Sequence, residues 1–352
     1  FSAGYAEYDS GLAFISFEDA QTIYNSKGYA YGIGVKVKEP FQVEKYVKDI
    51  QISKDYVYNQ LKKLSNNIFT TEANFLWIDF GKRQEWFYQK LLKKNIPTRR
   101  FMSQETKGYL RLTIGTKEQM EPVIKEIKDY DVVIFDIDGV IIDESQSYRN
   151  AIRQTYHFFT TKDVTLETIQ DYKNQGGFNN DWKLTKHLLD KEGLDISMKD
   201  VVNKFQEYYF NNGKGLIKDE KMLLKKEIIS RLSKNYKFAA CTGRPREEVI
   251  FALENNDILK YFDFIISMDD VKNGKPDPEG LNKIKDYFKT DNMIFIGDMP
   301  DDIIAAKRAN IDSVGVLPPQ DKSDTLKKLL LTEGAIHVYE TPEETITGVF
   351  KF

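Results

Sequence analysis

Asp131-Val132-Val133-Ile134-Phe135-Asp136-Ile137-Asp138-Gly139-Val140 decides the fold. Four apolar residues in a row, three of them β-branched, read as a strand buried on both faces. The run ends in two aspartates and a glycine, which read as a turn. Four runs of the same kind follow: Lys237 to Ala240, Phe264 to Ser267, Met293 to Ile296 and Ser313 to Val316. Helical patterns separate them, so the expectation is α/β: a Rossmann-like parallel sheet covered by helices on both faces. Between the first two strands lie roughly 100 residues of helical periodicity, too many for one crossover, and an inserted helical segment is expected there.

Upstream of Tyr130 the rhythm differs. Ala73 to Phe80 and Tyr109 to Ile114 read as strands, and Arg83 to Lys94 and Lys117 to Lys128 as amphipathic helices. Phe41 to Leu64 reads as a further helix. Together these predict a small α/β domain ahead of the parallel sheet. The division is placed at residues 1–129 and 130–352, with the small-domain portion at about 41–129 and the helical cap at about 145–225. Residues 1–40, rich in Gly and Tyr, give no fold by pattern.

Composition narrows the function. The chain has 352 residues, with 41% hydrophobic and 30% charged residues, a globular balance. A net charge of −3 argues against a nucleic-acid coat or an anionic-membrane binder. No apolar run is long enough to span a bilayer. Cys241 is the single cysteine, which excludes an internal disulfide framework and fits a reducing cytoplasm. The three histidines (His157, His187, His337) lack metal-ligand spacing, which leaves oxygen ligands for any metal.

Ligands gather at the carboxyl ends of the strands of an open parallel sheet. The strand ends here carry Asp136 and Asp138, then Thr242-Gly243-Arg244, then Lys275, then Asp298 and Asp302. Phosphoryl transfer needs parts of this kind. Asp136 is expected to attack phosphorus and Asp138 to protonate the leaving oxygen. Thr242 and Lys275 are expected to bind the transferring oxygens, and Gly139 and Gly243 to let main-chain N–H groups approach. The metal shell is expected to be Mg²⁺ held by Asp136, Asp138, Asp298 and Asp302. Gly243 and Arg244 are further expected to touch the substrate, a small phosphate ester. Within the cap, residues 176–182 read first as a Gly-Gly turn followed by an Asn/Asp helix cap. A second reading makes them a specificity loop presenting Asn179, Asn180 and Trp182 to the leaving group.

The stretches FDIDGV (135–140), CTGRP (241–245), GKPDP (274–278) and IGDMPDD (296–302) resemble the four motifs of the haloacid dehalogenase (HAD) superfamily. That resemblance implies a Rossmann-like core with a helical cap inserted after the first motif. Asp138, absent from the dehalogenases of the family, favours phosphate ester over carbon–halogen chemistry. A phosphomutase stays open, since mutases keep both aspartates.

ANFLWIDF (73–80), IPTRRF (96–101) and GYLRLTIGT (108–116) resemble the C-terminal small domain of a fold-type I aminotransferase, closest to histidinol-phosphate aminotransferase. The resemblance implies that Arg111 binds a substrate carboxylate and that Lys27, in Ser26-Lys27-Gly28, matches the Schiff-base lysine. Most of the large cofactor domain would precede Phe1, and Ser2 falls where an acid should pair with the cofactor. Pyridoxal phosphate is therefore not expected in this chain as it stands. The chain is expected to be the tail of a longer fusion, with a homodimer through the aminotransferase-like region as one implied partner. The fusion suggests histidinol phosphate as the ester.

Overall fold

The computed structural model describes residues 43–351, apart from 66, 72, 97, 175–177 and 179. Lys27, Asn179 and the Gly-Gly pair lie outside them. The chain forms two compact units. One comprises residues up to Gln84 with Ile96–Ile127, and the other Glu85–Asn95 with the chain from Lys128 onward.

In the first unit, β1 (Asn67–Thr70), β2 (Phe75–Asp79), β3 (Arg99–Arg100) and β4 (Tyr109–Thr113) form an antiparallel sheet in the order β1-β2-β4-β3. Alternation puts Leu76, Ile78, Leu110 and Leu112 on its buried face. The helix Val43–Leu61 packs against β2 and against the helix Lys117–Ile127. Arg111 lies on the opposite face, its guanidinium 5.3 Å from the Phe75 ring.

The stretch Glu85–Asn95, placed by the sequence within residues 1–129, groups with the second unit. Its side chains explain why. Trp86 meets the Tyr130 ring edge-on, and Lys90 pairs with Asp312 at 2.9 Å. Burying the indole and the lysine of the ion pair ties this segment to the parallel sheet.

That sheet runs β12-β11-β10-β5-β8-β9, every neighbouring pair parallel. Its strands are β5 (Val132–Phe135), β8 (Lys237–Cys241), β9 (Phe264–Ile266), β10 (Met293–Gly297), β11 (Asp312–Val316) and β12 (Val338–Tyr339). Val132, Ile134, Ala239, Phe295 and Met293 pack with Leu281 and Ile284 of the helix Glu279–Phe288 in one buried cluster. The central order β10-β5-β8 brings three motif-bearing strand ends side by side.

Between β5 and β8 stands the insertion, with helices Ser147–Thr160, Leu166–Asn174, Asp181–Lys191 and Met198–Tyr209 around a separate apolar cluster that includes Ile152, Leu184, Val201 and Phe205. The chain leads into it through β6 (Ile142–Asp143) and returns through β7 (Lys221–Met222). These pair antiparallel, Ile142 against Met222 and Asp143 against Lys221. Among the described residues no helix is long and apolar enough to cross a membrane.

Candidate active site

The site starts where β5 ends. Asp136 continues the sheet ladder, donating its N–H to Ile296 O at 2.9 Å. Its Oδ1 accepts the Ile137 N–H at 2.8 Å, and its Oδ2 lies 3.0 Å from Lys275 Nζ. The chain then turns sharply at Gly139, whose φ is +68°. A Cβ there would run into the Asp298 carboxylate, so glycine is required twice over, by conformation and by space.

Asp298 and Asp302 follow β10, and Asp302 opens the helix Pro300–Arg308. Asp302 Oδ2 accepts the N–H groups of Asp298 (3.2 Å) and Met299 (3.0 Å), while its Oδ1 sits 2.6 Å from Lys275 Nζ. Lys275 also donates to Cys241 O at 3.2 Å, joining the loops after β8 and β9. Burial pulls the Lys275 ammonium down, but Asp136 and Asp302 more than reverse it and hold it charged.

Asp136, Asp298 and Asp302 each offer an oxygen within 4.8 Å of the others, and all three are buried. Burial pushes Asp136 up to about 8 despite the pull of Lys275, with Asp302 adding repulsion. Asp298 is likewise raised, by burial first and then by Asp302 and Asp136. One lysine facing three buried carboxylates leaves uncompensated negative charge. The donor set, all carboxylate, suits a hard divalent cation. Asp302 is already committed, one oxygen to Lys275 and the other to the backbone, so within the expected shell it anchors the lysine.

Asp138 points elsewhere. Its carboxylate is not in that cluster but against Arg244, which bonds Oδ1 through Nε (2.8 Å) and Nη2. Arg244 was expected to touch substrate; its side chain instead has 0% exposure and every nitrogen engaged in protein contacts. Thr242 is buried beside it, its Oγ1 accepting the Arg244 N–H at 3.2 Å. At Gly243 a Cβ would meet no protein atom within 4 Å, so the surrounding protein does not itself demand glycine there.

In the insertion, Asn180 is a helix cap, its side chain accepting the Lys183 N–H at 3.0 Å. Trp182 packs against the insertion's apolar cluster. Asn180 thus fills the cap position of the first reading, whose Gly-Gly turn lies outside the described residues. Sequence reasoning missed Glu144, whose Oε2 accepts the Gly139 N–H at 3.0 Å and whose Oε1 faces Gln320 at 3.4 Å. Burial, then Asp138, raises it to about 7. Its place just past the first motif loop was the available signal. Glu220, Tyr209 and Tyr148 were missed too, and no spacing rule points to them.

A family model described as haloacid dehalogenase-like hydrolase matches residues 133–316, and one described as aminotransferase class I and II matches residues 30–127. The first spans more than half of the chain, which belongs to the haloacid dehalogenase-like hydrolases. The two matches follow one another on one chain, the order the motifs gave. Imidazoleglycerol-phosphate dehydratase of Phytophthora nicotianae is 34% identical over 199 residues, 53% of this chain and 43% of that protein. This chain therefore spans less than half the length of that relative. Phosphorylated carbohydrates phosphatase of Thermotoga maritima is 27% identical over 230 residues, 61% of this chain and 96% of that protein. Among solved structures, a haloacid dehalogenase-like family hydrolase from Streptococcus pneumoniae superposes with a TM-score of 0.50 at 17% identity. That match covers 62% of this chain and 97% of that one, and it shows a shared fold.

Proposed function

We propose that this chain is a Mg²⁺-dependent phosphomonoesterase working through an aspartyl-phosphate on Asp136. The observation that carries the reading is the buried group of Asp136, Asp298 and Asp302 around Lys275. Asp136 and Asp298 would hold the ion, which supplies positive charge for the phosphate oxygens. One Asp136 oxygen attacks phosphorus as the ester P–O bond breaks. Asp138, carrying a proton, gives it to the departing oxygen, and the alcohol leaves. A water then attacks the same phosphorus and loses its proton to Asp138, and the bond to Asp136 breaks to free inorganic phosphate. Lys275 and the buried Thr242 line the transferring group's side of the site.

The substrate reading is histidinol phosphate. The aminotransferase match on the same chain supports it, as does a relative named for another imidazole-bearing phosphate ester. The division at residues 129/130, the cap at about 145–225 and a cytoplasmic setting belong to the same proposal. The test is phosphate release from a panel of phosphoesters that includes histidinol phosphate, with Mg²⁺ or chelator, for wild type and Asp136→Asn. Mg²⁺-dependent release that Asp136→Asn lowers by roughly 10⁴-fold or more is expected. Release on other esters with none on histidinol phosphate would sink the substrate reading. An isomerised ester without free phosphate would make the enzyme a mutase.

A further inference from the structure

Arg244 joins the loop after β8 to both ends of the insertion. Nε and Nη2 bond Asp138 Oδ1, while Nη1 donates to Tyr209 Oη at 3.0 Å and to Glu220 Oε2 at 2.9 Å. Tyr209 Oη and Ser147 Oγ in turn donate to Glu220 Oε1, at 3.0 and 2.5 Å. Beneath the guanidinium lies the Tyr148 ring at 5.4 Å, itself stacked on Tyr209 at 4.3 Å. Ser147 and Tyr148 begin the insertion's first helix, Tyr209 ends its last, and Glu220 sits just before β7.

A guanidinium taken wholly out of water is tolerated only where its donors meet acceptors, and here two carboxylates and a phenol oxygen supply them. Every guanidinium nitrogen of Arg244 is bonded to protein, and its side chain has no exposed surface to offer a substrate. It does fix its neighbours. Two nitrogens on one oxygen remove the rotational freedom of the Asp138 carboxyl and leave its second oxygen outside the clamp. A protonated carboxyl still accepts on its other oxygen, so the clamp and proton donation are compatible.

We propose that Arg244, anchored by Glu220 and Tyr209, is the positioning residue that aims Asp138 at the leaving oxygen and so couples seating of the insertion to alcohol release. This rests on the phosphomonoesterase reading. The step it serves is the first half-reaction. The Asp136–phosphorus bond forms, the ester P–O bond breaks, and the proton on the unclamped oxygen of Asp138 goes to the departing alkoxide.

Leaving groups separate this role from a merely structural one. p-Nitrophenolate departs without a proton, whereas the alkoxide of β-glycerol phosphate needs one. The measurement is single-turnover release from each ester by the full chain with saturating Mg²⁺, for wild type, Asp138→Asn, Arg244→Lys, Glu220→Gln and Tyr209→Phe. Arg244→Lys is expected to cut alkyl ester cleavage about 10²-fold or more, with p-nitrophenolate release reduced less than about 10-fold and KM little changed. That pattern is a weaker copy of Asp138→Asn. Equal loss on both esters, or a raised KM with kcat kept, overturns the proposal. Should Arg244→Lys lose its thermal transition, Tyr209→Phe carries the test, since it removes one oxygen and should bias the two esters in the same direction. If wild type releases neither ester, the phosphomonoesterase reading falls and this inference with it. Wild-type turnover with unbiased variants sinks the inference alone.

Discussion

Lys275 Nζ lies 3.0 Å from Asp136 Oδ2 and 2.6 Å from Asp302 Oδ1, so one ammonium is shared between the residue read as the nucleophile and the carboxylate that anchors the lysine. The contact with Asp136 spans two loops, one after β5 and one after β9. Lys275→Met would leave Asp136 and Asp302 with their backbone N–H donors but without the ammonium that faces them both. The expected result is a kcat lower by roughly 10²–10³-fold, together with a larger thermal stabilisation by added Mg²⁺ as the ion takes over the lost charge. Activity and melting temperature with and without Mg²⁺ check both. An unchanged kcat would remove Lys275 from the chemistry.

Gly139 predicts a separable effect on the metal. Gly139→Ala would strain a turn at positive φ and push the Asp298 carboxylate aside. The half-saturating Mg²⁺ concentration should rise about 10–100-fold. Stability should fall by at least about 1 kcal/mol. Mg²⁺ titration of activity and urea unfolding measure the two.

Glu248 carries a pH signature. It accepts from Tyr148 at 2.9 Å and from Gln206 at 2.6 Å, and burial raises it to about 7 against those bonds. The folded protein therefore holds a proton that the unfolded chain gives up near the ordinary glutamate value. With unfolding releasing a proton, the stability that Glu248 contributes is fully present below about 4.5 and is lost as pH rises through about 7. Glu248→Gln should unfold with a flatter pH dependence, resembling wild type in acid and exceeding it near pH 8. Parallel curves for the two proteins across that window would contradict this.

The insertion's own core should be sensitive to truncation. Phe205 has 0% exposure within the cluster that holds the four helices together. Phe205→Ala is expected to lower stability by about 3–5 kcal/mol in urea titrations followed by circular dichroism. A loss under about 1 kcal/mol would mean that the surrounding helices collapse into the space.

The parallel sheet was legible because its strands are almost uniformly apolar, and runs such as Val132 to Phe135 have few other readings. β12 was not, since two residues carry no pattern. The motif residues were legible as strand-end groups, but the neighbourhood of β10, β5 and β8 that brings Asp298 beside Asp136 depends on strand order, which spacing does not encode. Arg244 was singled out, but its protein partners were not. Its partners Glu220 and Tyr209 reach it only through the fold of the insertion, and an arginine near a phosphate motif looks the same in sequence whether it faces a ligand or a carboxylate. Asn180 shows the reverse case, where a local rule for helix caps sufficed because the bond it makes spans three residues.

The ribbon of β6 and β7 has a bearing on descent. Two residues on each side join the helical segment to the sheet, and none of the six parallel strands pairs with it. A lineage could lengthen, shorten or replace that segment between Asp143 and Lys221 without disturbing the register beneath the carboxylates. Arg244 sets the condition on such an exchange: a new segment must still bring an acid and a hydroxyl to the buried guanidinium, or do without the arginine altogether.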